Sequence, residues 1–213
     1  MRIINIYSKF AITPNLQEHM IRVAKVVKFI KNHWTGPHVD WDEVFKAALL
    51  HDVGNIVRFN FDKYPQFLGE EIKRVDYWKE KQNEIIAKYG TDDHDATQKM
   101  LEEINIPQSL IDIIQSKSFG KSIELSKSDN WIVKLLYYGD SRVMPNGIGT
   151  LDERLTDVTQ RIGKYRDDPN LPNLVTACKE IEKQIQHNTN IDLSQITDDT
   201  VSKNDKEFLE MEV

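Results

Sequence analysis

Two residues with metal-binding chemistry follow the most apolar stretch of the chain. The run VFKAALL, residues 44–50, leads directly into His51 and Asp52. Burying a carboxylate is costly unless a partner neutralises it, so a helix this apolar should not end in these two residues without compensation. A divalent cation would supply that compensation. The alternative interpretation of the same residues is a buried ion pair within a helical bundle.

The dipeptide becomes informative only in its context. A chain with six histidines is expected to contain a His-Asp pair by chance, and this chain has a second one at His94. However, His19 lies on an amphipathic segment before the first pair, and Asp140 ends the apolar segment WIVKLLYYGD. Thiolate clusters are excluded because Cys178 is the single cysteine.

Helical periodicity dominates the segments that must position these residues. Between residues 13 and 32, apolar side chains recur at spacings of three and four, which predicts a helix. Asp40 and Glu43 are close to a capping box, and they open a second predicted helix over residues 41–53. Gly54 is expected to end that helix as the residue after its C-terminus.

The remaining chain is also mostly helical by pattern. Further helices are predicted over residues 70–89, 93–104, 107–115, 131–138, 150–165 and 172–187. The opening run RIINIY is the only candidate strand, and it has no evident partner. After residue 187 the chain turns polar and acidic, which predicts a loosely ordered tail in which Phe208–Met211 could form a short segment.

Composition limits the possible functions. The chain has 213 residues, a formal net charge of −6 and 39% hydrophobic residues. An acidic chain is unsuited to non-specific nucleic-acid binding, although a few local cations suffice for one small phosphorylated ligand. No apolar run approaches the roughly 18 residues of a membrane span, and the first residues lack a secretory pattern. We therefore expect a cytoplasmic protein.

Successive segments resemble the motifs of the HD-domain phosphohydrolase superfamily. In order, they are LQEHMIRVAKVVKFI, AALLHDVGN, HDATQKMLEEINIP and LLYYGDSRV, followed by TLDERL. The resemblance covers about residues 14–155 and implies an all-α fold, a compact multi-helix bundle around a central metal site. We expect a helical core over residues 1–145, C-terminal helices over 146–187 packed on it, and the polar tail over 188–213.

The resemblance also implies a ligand set for one divalent ion, namely His19, His51, Asp52 and Asp140. Two imidazoles and two carboxylates suit Mn²⁺, Fe²⁺, Co²⁺, Ni²⁺ or Zn²⁺, and Mg²⁺ is a further candidate for the ion. Such an ion polarises a phosphoryl oxygen and acidifies a water molecule, whose proton Asp52 could accept. The expected function is phosphate-ester hydrolysis of a nucleotide or another small phosphorylated metabolite.

Candidate substrate contacts surround this set. Arg22, one turn after His19, is the first candidate for a catalytic phosphate contact, and Arg142 is the second. Lys63 lies in a segment expected to cover the pocket. Many members of the superfamily have lysine where this chain has Asn55, so a phosphate contact at Asn55 would lack that charge.

The histidine count favours a single metal. Two-metal subfamilies carry extra histidines between the His-Asp pair and the last aspartate. His94 matches the first of them, but the next expected position falls in IIQSKSFG, which has none. We therefore expect one ion, with His94 beside the pocket as a phosphate-side or proton-handling catalytic group. The alternative is that His94 is an ordinary surface residue.

Two other functions are compatible with this sequence. Asn55 in place of lysine keeps open a non-catalytic sensor that binds metal and nucleotide without turnover. A two-iron oxygenase of the same fold is disfavoured by the missing histidine. The expected partner is a small phosphorylated substrate, and the C-terminal helices could form a homodimer.

Overall fold

The computed structural model describes residues 1–161 and 168–213 and shows an all-α chain. The α-helices within the described residues are α1 (Ile3–Lys9), α2 (Pro14–Asn32), α3 (Trp41–Leu50), α4 (Val75–Tyr89), α5 (Asp93–Glu103), α6 (Gln108–Ser116), α7 (Ser122–Lys127), α8 (Trp131–Ser141), α9 (Leu151–Arg161), α10 (Leu171–His187) and α11 (Lys206–Leu209). Short 3₁₀ helices span Asn55–Arg58, Pro65–Arg74, Phe119–Lys121 and Leu193–Gln195. The predicted end of α9 near Tyr165 lies outside the described residues.

Regular β structure in the described ranges is limited to one short hairpin and two isolated bridges. Strands β1 (Val143–Met144) and β2 (Gly147–Ile148) pair antiparallel, with Val143 opposite Ile148. None of the helices in the described part of the chain has the length and hydropathy that crossing a membrane requires.

The capping predicted at the start of α3 is present in part, and a complete capping box begins α9. At α3, the backbone N–H groups of Asp42 and Glu43 donate to Asp40 Oδ1 at 3.1 and 3.3 Å. At α9, the Thr150 N–H donates to Glu153 Oε2 at 2.7 Å, and the Glu153 N–H donates to Thr150 Oγ1 at 3.2 Å. These bonds satisfy amides that have no partner inside the helix.

The chain divides into two units, which are described separately. The first unit consists of Met1–Ile21, Leu49–Gln115 and Asn204–Val213, and the second consists of Arg22–Ala48 and Ser116–Lys203. The division expected from the sequence at residues 145 and 187 stays a prediction.

In the first unit, the opening candidate strand is instead helix α1. Ile3, Ile6, Tyr7 and Phe10 are buried, and their spacing of three, one and three places them on one helical face. The Tyr7 hydroxyl donates to the Leu49 carbonyl at 2.8 Å, so it ties α1 to the end of α3. Burial of this hydroxyl raises the pKa of Tyr7 well above its ordinary value.

The last residues of the chain also belong to the first unit. Phe208 on α11 is 1% exposed. The Ile3 N–H donates to the Met211 carbonyl at 3.0 Å, and the Val213 N–H donates to the Met1 carbonyl at 3.1 Å. Residues 204–213, which we expected to be part of a loose tail, therefore pack against the N-terminal helix.

The second unit includes the rest of that segment. Leu193, Ile196 and Val201 are buried, although the sequence around them is polar. The Asn190 N–H donates to the His33 carbonyl at 3.0 Å, and the Thr35 N–H donates to the Asn188 carbonyl at 2.8 Å. These contacts fix the chain after α10 to the end of α2.

Replacing Phe208 by alanine tests whether the C-terminal segment is part of the folded core. We expect a loss of about 3–5 kcal/mol in the free energy of unfolding, because a large buried ring leaves a cavity. Urea denaturation measures this value. The exposed neighbour Glu207→Ala is the control and should unfold within about 0.5 kcal/mol of wild type. A Phe208→Ala protein as stable as that control would show that the segment is not packed.

Candidate metal centre

Helix α2 carries His19 on the part of its surface that is not fully buried. Leu16, Met20 and Val23 pack inward, so α2 is held along one face. The His19 side chain is 21% exposed, which leaves its ring within reach of a ligand. Arg22 follows three residues later and shares the same side of the helix.

His51 and Asp52 lie in a turn directly after α3, not within the helix as the sequence predicted. Helix α3 ends at Leu50, and a 3₁₀ helix begins at Asn55. The Asn55 N–H donates to the Asp52 carbonyl at 2.9 Å, which closes the turn. The His51 side chain is fully buried, whereas the Asp52 side chain is 19% exposed.

Gly54 fixes this turn by close approach to α5. A Cβ atom at Gly54 would lie 2.5 Å from the Thr97 backbone nitrogen and 2.7 Å from the Asp93 carbonyl oxygen. The Gly54 N–H donates to Thr97 Oγ1 at 3.0 Å. The φ angle of Gly54 is −86°, so glycine is required by space and not by a left-handed backbone.

The first unit brings three predicted ligands together. Asp52 Oδ1 lies 3.5 Å from His51 Nε2, and Asp52 Oδ2 lies 3.6 Å from His19 Nε2. The two imidazole ring centroids are 5.4 Å apart. Both nitrogen–oxygen separations exceed the usual hydrogen-bond range of about 2.7–3.2 Å. They are close to the roughly 3.0–3.4 Å that separates neighbouring ligand atoms bound about 2.1 Å from one ion.

Asp140 lies near the C-terminal end of α8 in the second unit. Its side chain is 16% exposed, and Lys117 Nζ donates to its Oδ2 at 2.7 Å. Gly139 precedes it because α8 packs closely on α2. A Cβ atom at Gly139 would lie 3.0 Å from Val27 Cγ2 and 3.4 Å from Val23 Cγ1.

His19, His51 and Asp140 have the residue types of a group that could hold a metal ion. Imidazole nitrogens and carboxylate oxygens bind divalent ions such as Zn²⁺ and Mn²⁺. Asp52, whose oxygens face both imidazoles, adds a second carboxylate to the candidate set. The donor chemistry and the spacing within the first unit therefore fit a divalent ion.

The comparison with protein families agrees with this donor set. The family described as HD domain matches residues 16–145, which is more than half of the chain. The chain therefore belongs to the HD domain family. No curated protein matches the chain, and no solved structure matches it.

Arg142, an expected substrate contact, is engaged in the structure of the second unit. It is 2% exposed. Its Nη1 donates to the Leu193 carbonyl at 3.0 Å, and its Nη2 donates to the Ile196 carbonyl at 3.0 Å. Its Nε donates to the Gly149 carbonyl at 2.5 Å. These bonds hold residues 193–196 against the end of α8, which is a structural role.

The other predicted site residues are more exposed. His94 lies in the first turn of α5 and is exposed, and its carbonyl accepts from Gln115 Nε2 at 2.9 Å. Lys63 is exposed, with its ammonium 5.1 Å from the Tyr64 ring centroid. Asn55 is half-buried at the start of its 3₁₀ helix.

Arg22 has an acidic partner that the sequence did not predict. Its Nε lies 3.4 Å from Asp198 Oδ1, and the side chains are 19% and 49% exposed. Asp198 Oδ2 also accepts from the Ile148 N–H at 2.8 Å. No pattern in the sequence indicates Asp198, because it lies in a polar segment far from α2 along the chain.

Substituting Gly54 by alanine tests the close contact that fixes the turn. We expect a loss of about 1–3 kcal/mol in the free energy of unfolding, because the added methyl group must displace the N-terminal turn of α5. Chemical denaturation monitored by circular dichroism measures the change. Asn55→Ala, which adds no atoms at the neighbouring position, should stay within about 0.5 kcal/mol of wild type. Equal stability of both variants would contradict the contact.

Proposed function

We propose that the chain is a metal-dependent phosphohydrolase that acts on a nucleotide or another small phosphorylated metabolite. The observation that carries this proposal is the spacing of the Asp52 oxygens from His51 Nε2 and His19 Nε2, at 3.5 and 3.6 Å. Membership of the HD domain family supports the same chemistry. In the proposal, one divalent ion is held by these three residues together with Asp140.

Each side chain has a defined task in this proposal. When bound, the ion polarises a phosphoryl oxygen and acidifies water. His19 and His51 would bind the ion through ring nitrogens, and the buried position of His51 keeps its ring in one orientation. The Asp52 oxygen that does not bind the ion can accept a proton from the attacking water.

Arg22 is the proposed phosphate contact. A guanidinium matches two phosphate oxygens in geometry and stays charged at neutral pH. Its ion pair with the half-exposed Asp198 holds the side chain beside the helix face that carries His19. A substrate phosphate would compete with that carboxylate for the same nitrogen atoms. We also keep His94 and Lys63 as candidate substrate-side groups on their side-chain chemistry.

A phosphate-release screen tests the proposed activity. We expect the wild-type protein to release phosphate from at least one nucleotide or small phosphate ester in the presence of Mn²⁺ or Co²⁺. Asp52→Ala and the isosteric Asp52→Asn should each lower the rate by about 10²–10⁴-fold, because a ligand and a proton acceptor are lost. Asp62→Ala is a matched control, since that carboxylate is exposed and pairs with Lys79.

The same screen contains the outcome that would contradict the proposal. Tight nucleotide binding without phosphate release, with every metal tested, would favour the non-catalytic sensor. The neutral Asn55 is the residue that favours this second candidate, because lysine would provide a charge at that position. Retention of full activity in Asp52→Asn would contradict the assignment of the residue.

Replacing Arg22 by glutamine tests the phosphate contact separately. We expect kcat/KM to fall about 10–100-fold, mainly through KM, because one charge-assisted contact with the bound substrate is lost. Steady-state kinetics on the substrate found in the screen measure this change. Arg154→Gln is the matched control, because Arg154 has the same 19% side-chain exposure and pairs with Asp157 on α9. Equal kinetics for Arg22→Gln and Arg154→Gln would exclude the contact.

A further inference from the structure

Lys117 is a largely buried lysine that the sequence did not single out. It lies between α6 and the 3₁₀ helix Phe119–Lys121, in the segment IIQSKSFG, which lacks the further histidine of two-metal subfamilies. Its side chain is 13% exposed, and its ammonium donates to Asp140 Oδ2 at 2.7 Å. Asp140 is itself only 16% exposed, so both charges are largely removed from water.

Such a pair is not explained by stability alone. Desolvation of two charges commonly cancels much of their attraction, and well-packed apolar residues of similar size often serve stability as well. A cation on a ligating carboxylate has a different value, because groups that hydrogen-bond to metal ligands fix the orientation of those ligands.

We propose that Lys117 is a positioning residue for Asp140, an inference that rests on the proposed metal site. The ammonium donates to Oδ2 and so restricts rotation of the carboxylate that Asp140 would present to an ion. Because folding already orders the Asp140 side chain, metal binding does not carry the entropic cost of ordering it.

Metal titration without substrate tests the inference. Isothermal titration of the metal-free full chain with Mn²⁺ or Co²⁺ compares wild type, Lys117→Met and Lys117→Gln. We expect Lys117→Met to bind the ion about 10–100-fold more weakly, as is typical when a group that orients a ligand is removed. Lys117→Gln retains a neutral donor and should show an intermediate affinity. Lys127→Met, at an exposed lysine of the same unit, should bind as wild type does.

Two further readouts separate positioning from other roles. Thermal melting of the metal-free proteins should show that Lys117→Gln is as stable as wild type, so a change in its metal affinity does not reflect unfolding. That variant carries the test if Lys117→Met does not fold. At saturating metal, the variants should recover a substrate KM within about threefold of wild type, because mass action restores the ligand. A KM that stays raised would make Lys117 a substrate contact and would overturn the positioning role.

The affinities also distinguish this inference from the proposed function. If wild type binds no ion, both proposals fail. If wild type binds one ion and the Lys117 variants bind it equally well, only the positioning role is overturned. Tighter binding by the variants would likewise overturn it, because repulsion between the ammonium and the ion would then outweigh orientation.

Discussion

The burial of the His51 imidazole beside the Asp52 carboxylate is the constraint on which the rest of the site depends. Helix α3 is apolar, and two polar residues follow it directly. The His51 ring has no exposure to water, and the Asp52 side chain is 19% exposed. Polar groups in such a place are costly unless a partner satisfies them. A divalent ion is a partner suited to two imidazoles and a carboxylate, and the 3.5–3.6 Å separations are compatible with ligands of one ion.

The local structure fixes the position of one proposed ligand in each unit. Gly54 lets the turn approach α5 closely, so the turn cannot relax away from its position. Within the second unit, Gly139 lets α8 pack on α2 immediately before Asp140. Gly54 and Gly139 therefore control where the neighbouring proposed ligands Asp52 and Asp140 lie. Their role is steric, and adding a single methyl group at either place would disturb it.

The sequence predicted the long helices well but not the short or irregular segments. In α2 the apolar spacing extends over many residues, so one helical face was evident. The run that forms α1 is too short to distinguish a helix from a strand by period alone. Gly54 was interpreted as a helix terminator because a close backbone approach looks the same in a sequence. Ile196 lies in a polar segment, and its burial depends on partners distant in sequence. Phe208 has apolar neighbours in the sequence, but the helix that it belongs to is too short to show a period.

In the candidate site, the proposed ligands were predicted from the sequence, but the residues that pair with Asp140 and Arg22 were not. Histidines and aspartates in ordered motifs identified the proposed ligands, because few other residue types have that chemistry. Lys117 and Asp198 were missed, since a lysine or an aspartate in a polar segment has no signature until its partner is known. Arg142 was expected at the substrate because it follows Asp140 by two residues. On a helix, however, that separation places side chains on different faces, and Arg142 contacts backbone carbonyls instead.

We propose that His19, His51, Asp52 and Asp140 bind one divalent ion. Anomalous diffraction at the cobalt edge, from crystals grown with Co²⁺, is the sharpest test. We expect one strong peak with ligand atoms of all four residues within roughly 2.0–2.3 Å. A structure in which these side chains surround only water, or in which the cobalt peak lies elsewhere, would contradict it.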